Sequence, residues 1–323
     1  MTWSGTDILR SDLADESDGQ LVKPEPSLGP DENVKQNRAQ LCASDLGNPL
    51  LGTAFHPGGL KLTKRLGTLL QLTSTSRVLD VASGKGTRSI FLAKHFRCQV
   101  VGLDCSSQNV THATELAGAN GLSSRVRFNC GDGERLPFPN ESFDAVICEG
   151  AFCAYPNKSN SARELARVLW TGGRIGLSDF TRREMLPQKL DCLFPLIACL
   201  ADAQPIASYV EYLRSASFDV EKLEFHDAAL TKLVRQIRIK LSRAKNLAAQ
   251  KKPALSGVDF TSIKQMAAKV LTAVQQGQLG YIILVAFKPS FRYRERTVYD
   301  SPTILNGVEE HNCGSSHSES GLL

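Results

Sequence analysis

The stretch that decides the fold is Val78-Leu79-Asp80-Val81-Ala82-Ser83-Gly84-Lys85-Gly86-Thr87. Its first half is apolar, as in a buried strand, and its second half is a glycine-rich turn. Residues 87–96, which follow, place apolar side chains on one helical face. A strand, a glycine turn and a helix in this order form the opening unit of a nucleotide-binding α/β fold. An ordinary strand-to-helix turn has the same pattern, so the surrounding residues must decide.

Several features of this loop favour a ligand site. A side chain at Gly84 or Gly86 would hold the backbone away from a ligand, and the helix N-terminus offers free N–H groups to a carboxylate or phosphate. Asp80 lies near the end of the strand, where an acid faces the crevice at the sheet edge. A dinucleotide-binding fingerprint needs glycine or alanine three residues after Gly86, but Ser89 stands there. The loop therefore fits D-x-x-x-G-x-G better than G-x-G-x-x-G.

The composition sets broad limits. The chain has 323 residues, of which 42% are hydrophobic and 22% charged, which is typical of one large or two small globular domains. A net charge of +5 is too small to indicate nucleic-acid binding by itself. The nine cysteines show no zinc-type spacing, which predicts reduced thiols in a cytoplasmic protein without a metal. The N-terminus lacks a signal pattern, and no apolar run reaches the ~18–20 residues of a membrane span.

Polar sequence at both ends predicts one folded unit between them. Residues 1–38 are acidic and proline-containing and are expected to be disordered, residues 39–289 to form the domain, and residues 290–323 to be a flexible tail.

Alternating strand and helix patterns predict a mostly parallel sheet with helices on both faces. After the first strand, further strands are predicted at 99–104, 126–129, 143–148 and 174–178. Ser106 is the predicted cap of a helix that stops at Gly121, and Gly172-Gly173 is predicted to end the helix before the strand at 174–178.

A helical insertion is predicted at 228–276, just before a strong final strand at 280–287. Its apolar stripes fit packing faces, and its basic face fits either a solvated surface or attraction of an anionic substrate.

Two further acidic residues follow predicted strands. Asp104 ends the second strand, at the place where an acid accepts hydrogen bonds from ribose hydroxyls; the alternative is a helix-capping aspartate. Asp132 follows the third strand, where its carboxylate can accept from the exocyclic amine of an adenine. The backbone N–H of Gly133 can serve a ring nitrogen. An ordinary glycine turn is the alternative here.

Four segments together resemble the class I S-adenosylmethionine-dependent methyltransferases: VLDVASGKG at 78–86, VGLDCS at 101–106, GDGERLPFPNESFDAVIC at 131–148 and ELARVLWTGGRIGLSDF at 164–180. The resemblance is nearest to the quinone-biosynthesis, sterol and arsenite methyltransferases. It implies an α/β, Rossmann-like, doubly wound sheet of seven mostly parallel strands with an antiparallel last strand. It also implies S-adenosyl-L-methionine as cofactor and a small-molecule substrate, with no nucleic-acid partner.

The resemblance assigns cofactor roles to particular residues. The methionine part would lie on the glycine loop, the ribose on the acid after the second strand and the adenine on the acid after the third. The residues implied are Asp80 for the methionine amino group, Ala82, Gly84 and Gly86 in the loop, Asp104 for ribose, and Cys105, Asp132 and Gly133 for adenine. Methyl transfer from a sulfonium is an in-line displacement in which the protein aligns the reactants and excludes water. A strong acid–base constellation is therefore not required.

The acceptor is expected beyond the fourth strand, near residues 148–155, under the helical insertion. Glu149 can accept a proton or orient a nucleophile there. His56, in the F-H-P-G-G segment before the first helix, is a candidate base or a turn-stabilising imidazole. Phe152 and Tyr155 can wall the sulfonium or pack in the core.

Three alternatives to a small-molecule methyltransferase stay open. Cys199 and the pair Ser178-Asp179 match arsenite methyltransferases, although Gly150 stands where that family has a cysteine. Such an enzyme would bind a metalloid through thiolates; the other interpretation is buried, unreactive thiols. A nicotinamide-dependent oxidoreductase would use a similar sheet, but Asp80, Ser89 and the Asp132 loop argue against it. A catalytically silent scaffold would bind neither cofactor.

Overall fold

The computed structural model describes residues 56–183, 202–248 and 260–290. The predicted disordered segment 1–38, nearly all of the predicted tail and Cys199 lie outside the described residues. The described strands are β1 Arg77–Val81, β2 Gln99–Asp104, β3 Val126–Cys130, β4 Phe143–Glu149, β5 Leu169–Arg182, β6 Asp219–Phe225 and β7 Leu279–Phe287. The described helices are α1 Gly59–Leu69, α2 Thr87–Phe96, α3 Ser107–Ala119, α4 Lys158–Val168, α5 Ile206–Ser215, α6 Asp227–Ala248 and α7 Phe260–Gln275.

The strands form one seven-stranded sheet in the order β3-β2-β1-β4-β5-β7-β6. Strands β1 to β5 pair in parallel, and β7 runs antiparallel to both β5 and β6. This confirms the predicted Rossmann-like sheet with its antiparallel last strand. Because β1 lies between β2 and β4, the strand order reverses beside β1, and ligands of such sheets bind outside the carboxyl ends of the strands at this reversal.

The core lies on both faces of the central strands. Val78, Leu79 and Val81 of β1 are fully buried. Strand β7 is an almost unbroken apolar run, and residues 281–286 are at most 1% exposed. A strand that is covered on both faces has this composition because neither face has to meet water.

Local signals set the element ends near the binding edge. Ser106 is the N-cap of α3, and its Oγ accepts a hydrogen bond from the N–H of Asn109 at 3.3 Å, as predicted. The sequence predicted that Gly172-Gly173 ends a helix before a strand at 174–178. Instead, the pair lies inside the longer strand β5, where the pairing with β4 shifts register. A Cβ at Gly173 would lie 2.8 Å from the carbonyl oxygen of Trp170, so this irregularity requires glycine.

Along the chain, helices α6 and α7 come after β6 and before β7, in the stretch where the sequence predicts a helical insertion. Both pack against each other and against β7. Asp227, at the start of α6, accepts a hydrogen bond from the N–H of Tyr281 at 2.9 Å. The basic side chains Lys232 and Arg235 are exposed on α6, as both interpretations of this face require. Within the described ranges, no helix is long and apolar enough to cross a membrane.

Candidate cofactor and acceptor site

The loop between β1 and α2 turns sharply because three of its residues adopt left-handed backbone conformations. The φ angles are 57° at Ala82, 56° at Gly84 and 79° at Gly86. Ala82 carries a Cβ in this region, which costs about 1–2 kcal/mol. The N–H of Ser83 donates to the carbonyl of Leu103 at 2.9 Å, so the loop is tied to β2. The loop therefore has a defined shape before any ligand binds.

Gly84 and Gly86 are needed for different reasons. A Cβ built at Gly84 would meet no atom within 4 Å, so this glycine borders open space. A Cβ at Gly86 would lie 2.6 Å from Phe128 Cζ and 2.7 Å from Ala113 Cβ. The expected close approach of a ligand thus fits Gly84. At Gly86 the physical reason is instead the packing of the loop against α3 and β3.

Asp104 anchors the loop from the end of β2. Its Oδ2 accepts a hydrogen bond from the N–H of Gly84 at 2.8 Å, and its Oδ1 accepts from the N–H of Ser106 and from Nδ2 of Asn109, both at 3.0 Å. These contacts show that Asp104 organises the start of α3 and lies against the glycine loop. Its binding of a ribose stays a prediction.

The loop after β3 lies beside Asp104. The N–H of Gly131 donates to the carbonyl of Asp104 at 3.0 Å, and the N–H of Glu134 donates to Oδ1 of Asp132 at 2.9 Å. A Cβ at Gly133 would lie 2.2 Å from the hydroxyl oxygen of Tyr155. The tyrosine ring thus packs directly on this loop, which only glycine permits.

These contacts bring together Asp104, Cys105, Asp132 and Tyr155, which we call the β2–β3 cluster. The Cys105 side chain is exposed, and the Cys130 thiol donates a long hydrogen bond to the Cys105 carbonyl, at 3.7 Å. Although the residue as a whole is exposed, the protein atoms around its sulfur partly remove the thiol from water, which raises the pKa of Cys105 to about 11. The carboxylate of Asp104 acts in the same direction. The thiol is therefore neutral at physiological pH and suits contact with an uncharged adenine ring rather than binding of a cation.

A second group, the β1–β4 cluster, consists of His56, Asp80, Arg88 and Glu149. Asp80 is fully buried and accepts a hydrogen bond from Oγ of Ser89 at 2.6 Å. Its other oxygen, Oδ1, lies 3.6 Å from Nη2 of Arg88. Asp80 therefore lies in a different group from Asp104 and Asp132.

Arg88 joins the glycine loop to the end of β4. Its Nη2 donates to the carbonyl of Ala82 at 2.7 Å, and its Nη1 donates to the carbonyl of Glu149 at 2.9 Å. The side chain is only 13% exposed. Sequence reasoning missed this residue because an arginine in the first turn of a helix usually points to solvent. No local pattern distinguishes one that turns inward towards two buried carboxylates.

His56 and Glu149, both predicted near the acceptor, are brought together. Nδ1 of His56 lies 3.5 Å from Oε2 of Glu149, and the side chains are 4% and 0% exposed. Burial, with the charge of Arg88, lowers the pKa of His56 to about 3, so the imidazole is neutral at physiological pH. Burial raises the pKa of Glu149, while the guanidinium of Arg88 opposes this shift.

The two aromatic residues after β4 have different roles. Phe152 is fully buried and packs against the rings of Tyr155, Tyr209 and Tyr212. These contacts favour the core-packing alternative for Phe152 over a place beside the sulfonium. Tyr155 is only partly buried and lies at the edge of the β2–β3 cluster.

The thiols near β4 are buried. Cys148 and Cys153 are both 0% exposed, and burial raises the pKa of Cys148 well above that of a free thiol. Asp179 accepts a hydrogen bond from the N–H of Cys153 at 2.8 Å and so fixes the short 3₁₀ turn Phe152–Ala154 to β5. Among the described residues, no group of three His, Cys, Asp or Glu side chains is placed to hold a metal ion.

The strand order, the glycine loop and the acids at successive strand ends agree with the resemblance to the class I S-adenosylmethionine-dependent methyltransferases. Residues 78–173 match the family model described as a methyltransferase domain, which confirms the class predicted from the sequence. The match covers the glycine loop, both acids that follow β2 and β3, and all of β4.

Relatives of known function agree with this class. The chain is 28% identical over 243 residues to 27-O-demethylrifamycin SV methyltransferase of Amycolatopsis mediterranei, covering 71% of this chain and 83% of that protein. It is 42% identical over 108 residues to demethylmenaquinone methyltransferase of Deinococcus radiodurans, covering 33% and 44%. The chain thus spans less than half of the second relative.

Solved structures share the fold. The [4+2]-cyclase SpnF superposes with a TM-score of 0.64 at 24% identity, over 82% of this chain and 98% of SpnF. Phosphoethanolamine N-methyltransferase 2 of Haemonchus contortus, solved with S-adenosyl-L-methionine, superposes with a TM-score of 0.63 at 17% identity, over 78% and 57%. One of these neighbours is named for a cyclisation, so the fold alone does not decide the reaction.

Proposed function

We propose that this protein transfers the methyl group of S-adenosyl-L-methionine to a small-molecule acceptor. The two relatives described above are methyltransferases of small molecules, and the matched methyltransferase domain includes the whole predicted cofactor edge.

The observation that carries the proposal is the environment of Gly84. The glycine has a left-handed backbone, its N–H is held by Asp104, and the space where a side chain would stand is open. A ligand can therefore lie directly on the backbone between the two clusters. An extended molecule with an adenosine end and a methionine end fits this arrangement, since each cluster offers carboxylates to one end.

The residue roles follow from the two clusters. Asp104 binds the ribose hydroxyls, and Asp132, Gly133 and Cys105 border the adenine. The methionine part lies along Ala82, Gly84 and Gly86, with its ammonium group nearest Asp80. Glu149 and His56 lie at the end of β4, next to the methyl group that is transferred.

For methyl transfer from a sulfonium, the protein mainly has to align the acceptor with the methyl group and exclude water. When bound, S-adenosyl-L-methionine supplies an electrophilic methyl group on a positively charged sulfur. Asp80 and Glu149 are two buried carboxylates set against the single guanidinium of Arg88. Burial raises the pKa of both Asp80 and Glu149, and the guanidinium of Arg88 opposes this shift in each case.

Calorimetry on the full chain tests this proposal. S-adenosyl-L-methionine and S-adenosylhomocysteine should bind, and NADH should not. The Asp104→Asn variant should bind S-adenosylhomocysteine about 10–100-fold more weakly, because hydrogen bonds to a charged group contribute about 1.5–3 kcal/mol. Asp144→Asn is the matched control, since Asp144 is an exposed residue near the start of β4 that accepts from the N–H of Arg77.

A chain that binds NADH more tightly than S-adenosylhomocysteine would be an oxidoreductase, and one that binds neither would be a scaffold. Binding without methyl transfer to any component of a cell extract would favour another reaction on this fold. The metalloid alternative stays a prediction, because Cys199 lies outside the described residues. The cytoplasmic location and the lack of nucleic-acid partners also stay predictions.

A further inference from the structure

Ala82 is the residue of the glycine loop whose backbone conformation is least favourable. Its φ angle of 57° is left-handed, like those of Gly84 and Gly86, but Ala82 has a Cβ. In this conformation the Cβ crowds the following carbonyl oxygen, so an alanine adopts it only where the surrounding structure holds it. Nη2 of Arg88 donates a hydrogen bond to the Ala82 carbonyl oxygen at 2.7 Å. A hydrogen bond from a charged donor is stronger than one between neutral groups, so Arg88 stabilises the loop at the residue that needs it most.

The same guanidinium contacts the strand that ends beside the loop. Nη1 of Arg88 donates to the carbonyl oxygen of Glu149, the last residue of β4, at 2.9 Å. A guanidinium is planar, and its nitrogens have fixed positions relative to one another. One rigid group therefore sets the distance between the Ala82 carbonyl on the glycine loop and the Glu149 carbonyl at the end of β4.

Asp80 keeps this guanidinium in place. Oδ1 of Asp80 lies 3.6 Å from Nη2 of Arg88, and Oδ2 accepts a hydrogen bond from Oγ of Ser89 at 2.6 Å. Asp80 is fully buried, and the Arg88 side chain is 13% exposed. Because both terminal nitrogens of Arg88 donate to backbone carbonyls, any effect of Arg88 on a ligand passes through the position of the backbone.

We propose that Arg88 is a positioning residue for methyl transfer. It holds the loop under the methionine part of the cofactor in its binding conformation, and it fixes that loop against the end of β4, where the acceptor is expected. The proposal rests on the proposed methyltransferase function and adds a residue to it. The hydrogen bond to Ala82 supports cofactor affinity, and the hydrogen bond to Glu149 supports the alignment of the methyl group with the acceptor.

The first test measures affinity for S-adenosylhomocysteine by calorimetry on folded variants of the full chain. Arg88→Lys keeps a positive charge beside Asp80 but lacks the planar pair of donors. Affinity should fall about 5–30-fold, which is the cost of a left-handed alanine expressed as an equilibrium constant. Glycine adopts this conformation freely, so Ala82→Gly alone and the double variant Ala82→Gly/Arg88→Lys should both bind within about threefold of wild type. Wild-type affinity in Arg88→Lys, or no recovery in the double variant, would overturn this part of the proposal.

Arg125→Lys is the matched control. Arg125 also donates through Nη1 to the carbonyl of a left-handed residue with a Cβ, Arg97, whose φ angle is 60°. Arg97 precedes β2 and Arg125 precedes β3, so this pair lies at the amino ends of the strands, at the edge of the sheet opposite to the glycine loop. Affinity should stay within about twofold of wild type. An equal loss in Arg125→Lys and Arg88→Lys would show that the effect is not specific to the loop.

The second test measures transfer. Isotope-labelled S-adenosyl-L-methionine at a saturating concentration is incubated with a small-molecule cell extract, and the rate of label incorporation is followed by mass spectrometry. Arg88→Lys should transfer about 10–100-fold more slowly, because a small misplacement of the reactants has an effect of this size. The double variant should stay slow although its affinity recovers, since glycine at position 82 does not replace the hydrogen bond to Glu149. A wild-type rate in the double variant would refute the alignment role.

The two proposals fail in different ways. If S-adenosylhomocysteine does not bind to the wild-type chain, the methyltransferase function fails. If it binds equally to wild type and Arg88→Lys, and both transfer the label at the same rate, only the positioning role is wrong. If the extract yields no labelled product, the affinities of the four proteins decide the proposal. If Arg88→Lys does not fold, Arg88→Gln, whose amide is planar and uncharged, takes its place in the same comparisons.

Discussion

The two loop glycines offer a sharp test of the cofactor site, because the same substitution should have different effects at each. Both have left-handed φ angles, 56° at Gly84 and 79° at Gly86. An alanine in this conformation costs about 1–2 kcal/mol. At Gly84 nothing lies within 4 Å of the added carbon, so this strain is the whole cost to stability.

At Gly86 the added carbon also meets its neighbours. It would lie 2.6 Å from Phe128 Cζ and 2.7 Å from Ala113 Cβ, and relieving such contacts adds about 1–3 kcal/mol. The sum is about 2–5 kcal/mol. Since 1 kcal/mol shifts the Tm of a domain of this size by roughly 2–4 °C, Gly86→Ala should lower Tm by roughly 4–20 °C and Gly84→Ala by roughly 2–8 °C.

Cofactor affinity should show the reverse order. The methyl group of Gly84→Ala enters the open space over the loop, so affinity for S-adenosylhomocysteine should fall at least about tenfold, or about 1.4 kcal/mol. Gly86→Ala points its methyl group into the packing between α3 and β3, so the folded variant should bind within about threefold of wild type. Thermal melts by circular dichroism and calorimetry at 15 °C measure the two quantities. Normal affinity in Gly84→Ala, with lost affinity and an unchanged Tm in Gly86→Ala, would refute the assignment of the space above Gly84 to the cofactor.

Three further predictions concern the buried groups around the site. Arg88→Met should lower the free energy of unfolding by about 3–5 kcal/mol, because Asp80 and Glu149 then lose their buried counter-charge. In urea melts, Arg88→Lys should recover part of this loss. Equal losses in the two variants would mean that the positive charge of Arg88 does not contribute to stability. Burial raises the pKa of Asp179 to about 6, well above the usual value of 3.8 for an aspartate. The folded state therefore binds this proton more tightly than the unfolded state, and the group adds stability as pH falls from about 6 to 4. This pH-dependent contribution to the free energy of unfolding, of order 3 kcal/mol, should be present in wild type and absent in Asp179→Asn. Parallel curves of unfolding free energy against pH for the two proteins would show that Asp179 makes no such contribution. Phe152→Ala should lower the free energy of unfolding by about 3–5 kcal/mol, without a specific loss of S-adenosylhomocysteine affinity at low temperature. Weak binding at an unchanged Tm would instead indicate that Phe152 contacts the ligand.

Most of the fold was predictable because its signals are local. Apolar runs of four to eight residues identified the strands, and Ser106 and Gly121 marked the start and end of α3. The long β5 was missed because Gly172-Gly173 has the same local pattern in a helix stop and in an irregular strand. Pairing with β4 and with β7 decides between them, and pairing is not visible in the segment itself.

The candidate site was predictable only in part. Asp104 and the glycine loop were predicted to lie together because each comes at the end of a predicted strand. A parallel sheet places the ends of neighbouring strands at one edge. For Phe152 and Tyr155, the sequence allowed a place in the core or beside the ligand. Burial separates them, because Phe152 is enclosed by three tyrosine rings while Tyr155 packs on the loop that contains Gly133.

By itself, the sequence determined the order of elements, the glycine turn after β1 and the carboxylates near the ends of β2 and β3, because backbone geometry and hydrophobic periodicity act over a few residues. Only the tertiary structure decided that His56, Arg88 and Glu149, which are far apart in the chain, form one buried group. Their protonation depends on that grouping, since removal from water and proximity to other charges set a pKa, and both are properties of the folded chain.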